Sequence, residues 1–242
     1  MPIRTEPVEY AFGDLVLEGL CAYDDSAPPR PGVLVVHTAL GPGRFEAERA
    51  VALAEMGYVG FVADLYGRDA HYENDEEAIV FARSLVRLAG AFDGRMAASM
   101  AALRAHPAVD PARTAALGFC LGGRAVLNLA RLDDPVAGVI SFHGGLMPHP
   151  EKKAVAPMPA RVLICHGWHD VYDPPAHIMA VGEELTEAGA DWQIHAYGAA
   201  GHGFTDPYKT PKGEFHRYIE LVARRSWQAT GNFLAELFPP AG

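Results

Sequence analysis

Hydrophobic positions along the chain follow two alternating patterns. Gly32-Val33-Leu34-Val35-Val36-His37 is a continuous apolar run, as expected of a strand covered on both faces of a parallel sheet. Tyr58 to Leu65, Arg113 to Phe119, Val136 to Phe142 and Arg161 to Cys165 repeat it, and Asp191 to Tyr197 reads as a last strand. Between them the apolar residues recur at helical spacing. Phe45 to Met56 puts Ala50, Leu53 and Met56 on one face, and Gly57 ends the run. Further helices are predicted over Glu76 to Leu88, Gly94 to Ala105, Gly123 to Leu132, Pro174 to Ala188 and Glu214 to Leu237. At the start, Glu9 to Phe12 and Leu15 to Tyr23 form a strand pair turning at Gly13-Asp14, and Asp24 to Pro31 is a loop. Strands alternating with helices predict an α/β fold, a mostly parallel central sheet with helices on both faces and right-handed crossovers. No linker, repeat or low-complexity tract interrupts the pattern, so residues 1–242 are expected to form a single domain.

Composition narrows the function. Half of the residues are hydrophobic, enough for a sizeable core. The formal charge of −10 comes without a basic run, which argues against nucleic acid or an anionic membrane as partner. No apolar run approaches the roughly 20 residues that span a bilayer. Met1 to Pro7 lacks a signal-peptide core. Cys21, Cys120 and Cys165 do not make a disulfide framework and suit a reducing cytoplasm.

The chemistry gathers around Gly118-Phe119-Cys120-Leu121-Gly122, the small-x-nucleophile-x-small pattern of a nucleophile elbow with cysteine in the reactive place. A sharp strand-to-helix turn needs glycines where no Cβ fits. It also sets Cys120 at a helix N-terminus, where the dipole favours a thiolate. A buried, inert cysteine on a glycine-rich turn would share the pattern. In parallel sheets the chemistry lies at the carboxyl ends of strands. One such end leads into His166-Gly167-Trp168-His169-Asp170-Val171-Tyr172-Asp173-Pro174, and another into Gly201-His202-Gly203-Phe204. The chain order nucleophile, acid, histidine is the one α/β-hydrolases use. Asp173 precedes two prolines and a helix and is expected to be an N-cap, leaving Asp170 as the acid. His202 alone follows the last strand on a glycine-flanked loop; His166 and His169 are expected to be loop or supporting residues.

Phe119-Cys120-Leu121-Gly122-Gly123, His166-Gly167-x-x-Asp170, Gly201-His202-Gly203-Phe204 and Asp64-Leu65-Tyr66-Gly67-Arg68 together resemble the dienelactone hydrolase family of α/β-hydrolases, from about Gly32 to the final helix. The resemblance implies a Cys120, His202, Asp170 triad. It also implies an oxyanion hole from the backbone N–H groups of Leu121 and Ala39. Dienelactone-cleaving members carry a glutamate on the loop after the third strand, where alignment puts Thr38. They carry a substrate-binding arginine four residues after the histidine, where this chain has Asp206. Arg68, Arg83, Arg87 and Arg95 all lie in the region of their second arginine. His37, Thr38, Phe204 and Asp206 are candidate pocket residues; a satisfied buried histidine is an equal reading for His37.

A catalytic metal is not expected: there is no H-E-x-x-H, no Cys-x-x-Cys and no Walker loop, and His166-x-x-His169-Asp170 would chelate only weakly. No cofactor is expected either. The expected activity is ester or lactone hydrolysis through an acyl-cysteine on small neutral or aryl esters, with slow hydrolysis of activated phosphotriesters as a side activity. The alternatives are a true carboxymethylenebutenolidase and a non-catalytic or redox thiol protein on the same fold. The connection Gly145 to Pro159 is too short for a large lid. A monomer or homodimer is expected.

Overall fold

The computed structural model describes residues 3–70, 72, 74–88, 90–132, 134–147 and 157–239. Eight strands follow one another as hydrogen-bonded neighbours in the order β1-β2-β4-β3-β5-β6-β7-β8. They are β1 (Ile3–Phe12), β2 (Leu15–Asp24), β3 (Arg30–Val36), β4 (Val59–Val62), β5 (Val109–Phe119), β6 (Gly138–Phe142), β7 (Arg161–Gly167) and β8 (Trp192–Tyr197). The helices are α1 (Arg44–Glu55), α2 (Asp75–Arg87), α3 (Ala91–Ala105), α4 (Leu121–Arg131), α5 (Pro175–Glu187) and α6 (Glu220–Leu237). The chain divides into two compact units between Ala116 and Leu117.

In the first unit, β1 and β2 form a hairpin in full register from Ile3↔Asp24 to Phe12↔Leu15, turning at Gly13 with φ +59°. β2 pairs antiparallel with β4, and β4 parallel with β3, with Val33 opposite Gly60 and Val35 opposite Val62. Six consecutive buried residues in β3 match its unbroken apolar run. Glycine at position 60 lets α1 close on the sheet, since a Cβ there would lie 2.4 Å from the Ala50 carbonyl oxygen.

Strand β1 begins at Ile3, six residues before the predicted Glu9, because the whole segment pairs with β2, and β3 begins at Arg30 inside the predicted loop. Two further boundaries move for local reasons. Helix α3 begins at Ala91, three residues before the predicted start, on Gly90 in the left-handed region. Gly94 is instead the place where the helix meets the Phe12 ring, which would lie 2.3 Å from any Cβ added there. Strand β4 stops at Val62 because Asp64 turns the chain, its Oδ1 accepting from the N–H groups of Tyr66 and Gly67 at 2.7 and 2.9 Å.

The second unit holds the end of β5 and everything after it. β6, β7 and β8 are parallel, with Phe142 opposite Cys165 and Cys165 opposite His195. Helix α6 starts at Glu220 and not at Glu214. Residues 213–219 pair instead with the loop after β8: His216 bridges to His202, and the Ile219 N–H donates to the Phe204 carbonyl at 3.1 Å. Tertiary hydrogen bonds thus override helical propensity there. The predicted short connection Gly145 to Pro159 falls partly outside the described residues.

Candidate active site

Strand β5 ends at Phe119, and Cys120 turns the chain into α4 with φ 55° and ψ −108°. Its N–H donates to the Phe142 carbonyl at 3.0 Å, and its carbonyl accepts from the Arg124 N–H at 3.2 Å. The flanking glycines are obligatory. A Cβ on Gly118 would lie 2.2 Å from the Gly122 carbonyl oxygen, and one on Gly123 would lie 2.7 Å from Gly144 Cα. The non-glycine residues with positive φ among those described are Cys120 and His143, which follows β6. Strain of this kind persists where the surroundings over-determine it, as they do at functional sites.

Asp170 follows β7 and is 2% exposed. Its Oδ1 accepts from the Tyr172 N–H at 2.9 Å, and its Oδ2 lies 2.8 Å from His202 Nδ1. On the other side of the ring, His202 Nε2 lies 3.1 Å from Cys120 Sγ. The two loops interlock through backbone: a Cβ on Gly167 would sit 2.3 Å from the Gly201 carbonyl oxygen. Sulfur, imidazole and carboxylate therefore form one hydrogen-bonded line.

The electrostatics follow from that line. Burial pushes the His202 pKa down, but the charge of a Cys120 thiolate and the hydrogen bonds to Asp170 and Cys120 outweigh it, leaving about 10. Burial likewise pushes Asp170 up, and the His202 hydrogen bond and charge with the Tyr172 N–H reverse the sign, holding it below the usual carboxylate range. Cys21 and Cys165 are buried away from any imidazole partner, and burial raises each to about 12, at Cys165 against the hydrogen bond from the Tyr197 hydroxyl.

Three rings surround the His202 imidazole edge-on: Tyr172 with a centroid 4.8 Å away, His143 at 5.1 Å and His216 at 5.1 Å. His143 is buried, with Nε2 2.8 Å from Thr205 Oγ1 and burial holding its pKa well down. Burial lowers His216 to about 4. His166 is fully buried, donates from Nε2 to the Asp173 carbonyl at 3.0 Å, and stands 3.8 Å from Asp170 Oδ2. Burial lowers its pKa as well. Sequence reading missed His143 and His216. The signal for His143 was its place at a strand's carboxyl end; His216 had none.

Asp173 is not an N-cap. Pro174 takes that position and Pro175 the first helical turn, so Asp173 stands one residue too early. Its Oδ1 accepts instead from the Leu146 N–H at 3.0 Å and lies 3.1 Å from His177 Nδ1. Phe204 is fully buried against the rings of His143 and Tyr197, supporting the His202 loop from within. Asp206 closes a local turn by accepting from the Tyr208 N–H at 2.8 Å.

In the first unit, His37 is fully buried, with Nδ1 2.6 Å from the Thr38 carbonyl and Nε2 accepting from the Leu65 N–H at 3.2 Å. Both nitrogens are engaged within the fold, and burial lowers the pKa to about 4. Thr38 Oγ1 accepts from the Leu40 N–H at 3.2 Å. A glutamate does reach this loop, from α1: Glu46 accepts from the N–H groups of Thr38 and Gly43 at 3.2 and 3.1 Å. A glutamate three residues after the N-cap Gly43, placed to reach back to its N–H as in the glutamate half of a capping box, could have indicated it. The Ala39 carbonyl accepts from the Tyr66 hydroxyl at 2.9 Å. Neither the Ala39 nor the Leu121 N–H donates to a protein acceptor among the described residues. Of the four arginines, Arg68 pairs with Glu9, Arg95 donates to the carbonyls of Leu65 and Tyr66, and Arg83 and Arg87 are exposed.

A mostly parallel sheet with a strand–elbow–helix turn, and an acid and a histidine on later strand ends, defines an α/β-hydrolase. The dienelactone hydrolase family model matches residues 17–238, and the chain belongs to that family. A solved dienelactone hydrolase-like promiscuous phosphotriesterase from metagenomic libraries superposes with a TM-score of 0.90 at 32% identity, covering 98% of this chain and 100% of that one. A putative carboxymethylenebutenolidase of Yersinia pestis is 25% identical over 89% of this chain and 82% of its own length. An uncharacterised protein of Caenorhabditis elegans is 34% identical over 62% of this chain and 96% of its own. The chain is accordingly a dienelactone hydrolase-like enzyme acting on ester bonds. No helix among the described residues is long and apolar enough to cross a membrane.

Proposed function

We propose that the protein, acting as one domain, hydrolyses small neutral or aryl carboxylic esters through an acyl-enzyme on Cys120. The observation that carries this reading is the line of contacts from Cys120 Sγ through His202 to Asp170, 3.1 and 2.8 Å long. The sulfur attacks the ester carbonyl carbon as a thiolate while His202 stays protonated. The oxygen that becomes negative is held by the Leu121 N–H and, following the family resemblance, by the Ala39 N–H. Losing one such donor typically costs ~3 kcal/mol. The carbon–oxygen bond to the leaving group breaks, and His202 gives its proton to the departing alkoxide or phenoxide. The neutral imidazole then takes a proton from water, which attacks the thioester and releases the carboxylic acid and the thiolate. Asp170 keeps the His202 tautomer and stabilises its charged form.

Asp206, where carboxylate-binding members carry arginine, supports a neutral substrate. The Yersinia relative supports carboxymethylenebutenolidase activity as the second reading. The likeness to a promiscuous phosphotriesterase supports a side activity on neutral aryl phosphotriesters. Attack on phosphorus also develops negative charge on a non-bridging oxygen that the same N–H groups can bind. The chemistry proposed needs no metal or cofactor, and three thiols with no disulfide suit a reducing cytoplasm. The assembly proposed is a monomer or homodimer. The test compares p-nitrophenyl acetate and paraoxon turnover by wild type, by Cys120→Ala, and by wild type with EDTA. Loss of both activities in the variant and indifference to EDTA are expected; activity that survives Cys120→Ala would reject the thiolate route.

A further inference from the structure

We infer that Tyr172 forms a binding subsite for the aryl part of a leaving group and so sets the preference of the enzyme for aryl over alkyl esters. This inference rests on the proposed Cys120–His202 chemistry. Three large apolar side chains on the five-residue stretch 168–172 are exposed, Trp168 at 45%, Val171 at 73% and Tyr172 at 56%, although Asp170 between them is buried. Packing does not require a large ring at position 172. The residue is nevertheless fixed in place, because its N–H donates to Asp170 Oδ1 at 2.9 Å and its ring stands edge-on to His202 with centroids 4.8 Å apart at 80°. It also meets the His216 ring at 6.0 Å.

The other two rings around His202 differ. His143 is 1% exposed, and the His216 Nε2 is buried. His216 is itself only partly buried, but Tyr172, more than half exposed, is the most exposed of the three residues. Its hydroxyl bonds no protein atom among the described residues. The position relative to the chemistry is equally specific. A leaving oxygen that takes its proton from His202 Nε2 must come within about 3 Å of that nitrogen. The carbon skeleton attached to that oxygen is then held beside whatever covers the imidazole on its solvent side. Aromatic pairs prefer centroid separations of about 4.5–7 Å in offset or edge-on arrangements. A phenoxide departing past His202 falls in that range from Tyr172, whereas a compact alkoxide gains little from the ring.

The experiment uses the full chain with two esters whose leaving alcohols are of similar acidity, phenyl acetate and hexafluoroisopropyl acetate. For Tyr172→Ala, kcat/KM on phenyl acetate should fall about 10-fold, mainly through KM, the upper end of what an aromatic pair contributes. On hexafluoroisopropyl acetate the loss should be smaller, so that the ratio of the two kcat/KM values shifts about 5-fold or more against phenyl acetate, with circular dichroism reporting that the variant is folded. Tyr172→Phe keeps the ring and should keep the wild-type ratio. Equal losses on the two esters, or none on either, would overturn the inference, as would a Tyr172→Phe variant as impaired as Tyr172→Ala. Cys120→Ala serves as the separate control: if it retains turnover of both esters, the nucleophile assignment fails, and the subsite with it.

Discussion

Two loops in this molecule each end a strand with a buried histidine, and they lead to opposite chemistry. After β3, His37 hydrogen-bonds only neutral groups, the Thr38 carbonyl and the Leu65 N–H, and burial outweighs the opposing pull of that carbonyl and of the Asp64 charge, lowering its pKa to about 4. After β8, His202 is nearly as buried, but it lies between a sulfur and a carboxylate and is raised to about 10. Burial alone makes a histidine a neutral structural group; burial between two acidic partners makes it a stored proton. The cysteines repeat the lesson. Cys165, inside β7, is pushed up to about 12, while Cys120 sits on a strained turn at a helix N-terminus facing an imidazole.

The largest expected effect is on the His202 side. We predict that Asp170→Asn lowers kcat by about 10⁴, as when a wrong imidazole tautomer is trapped. Steady-state kinetics on p-nitrophenyl acetate check this, and a loss under 10-fold would break the contrast between the loops by leaving His202 independent of its acid. A pH profile sharpens the same point. The raised value means that His202 is protonated below about 10 and loses its proton as pH rises through that value. Turnover of an alkyl ester, which needs that proton for its leaving group, should therefore fall above about pH 10. Iodoacetamide labelling of Cys120, which needs only the thiolate, should not fall there. Parallel decline of both rates would contradict the proposed proton donor.

Smaller effects belong to the other loop and to Asp173. His37→Leu removes the acceptor of the Leu65 N–H and the donor to Thr38 and should cost about 1–3 kcal/mol in urea unfolding. Cys120 should still be labelled in this variant, and a collapse of labelling without loss of stability would give His37 a chemical role. Asp173→Asn keeps an oxygen for the Leu146 N–H and loses the ionic contact with His177 and the charge facing Arg124, so about 0–1 kcal/mol is expected. Abolished turnover in that variant, with Asp170→Asn mild, would exchange the two aspartates.

What the sequence made legible and what it hid divide along the same physical line. Cys120, Asp170 and His202 stand in short motifs because each needs a local backbone device: paired glycines around a positive φ, a turn after β7, a glycine-flanked loop after β8. Strand β3 was readable from its apolar run alone. His143 stands on a positive-φ turn at the end of β6 with no motif to mark it, while His216 carries no local device and reaches His202 only through tertiary packing, so no spacing revealed it. The start of α6 was hidden for the same reason, since residues 213–219 are held by the loop after β8. Asp173 misled because a carboxylate before Pro-Pro fits the capping rule, and the second proline shifted the helix one residue onward.

The central claim is that the Cys120 sulfur forms the covalent intermediate. The most direct test is rapid acid quenching during p-nitrophenyl acetate turnover, followed by peptide mass spectrometry. The account predicts an acetyl group on the peptide containing Cys120, gone from Cys120→Ala, and released on incubation with water at the steady-state rate. An acetyl group on another residue, or full turnover with Cys120 already alkylated, would contradict it.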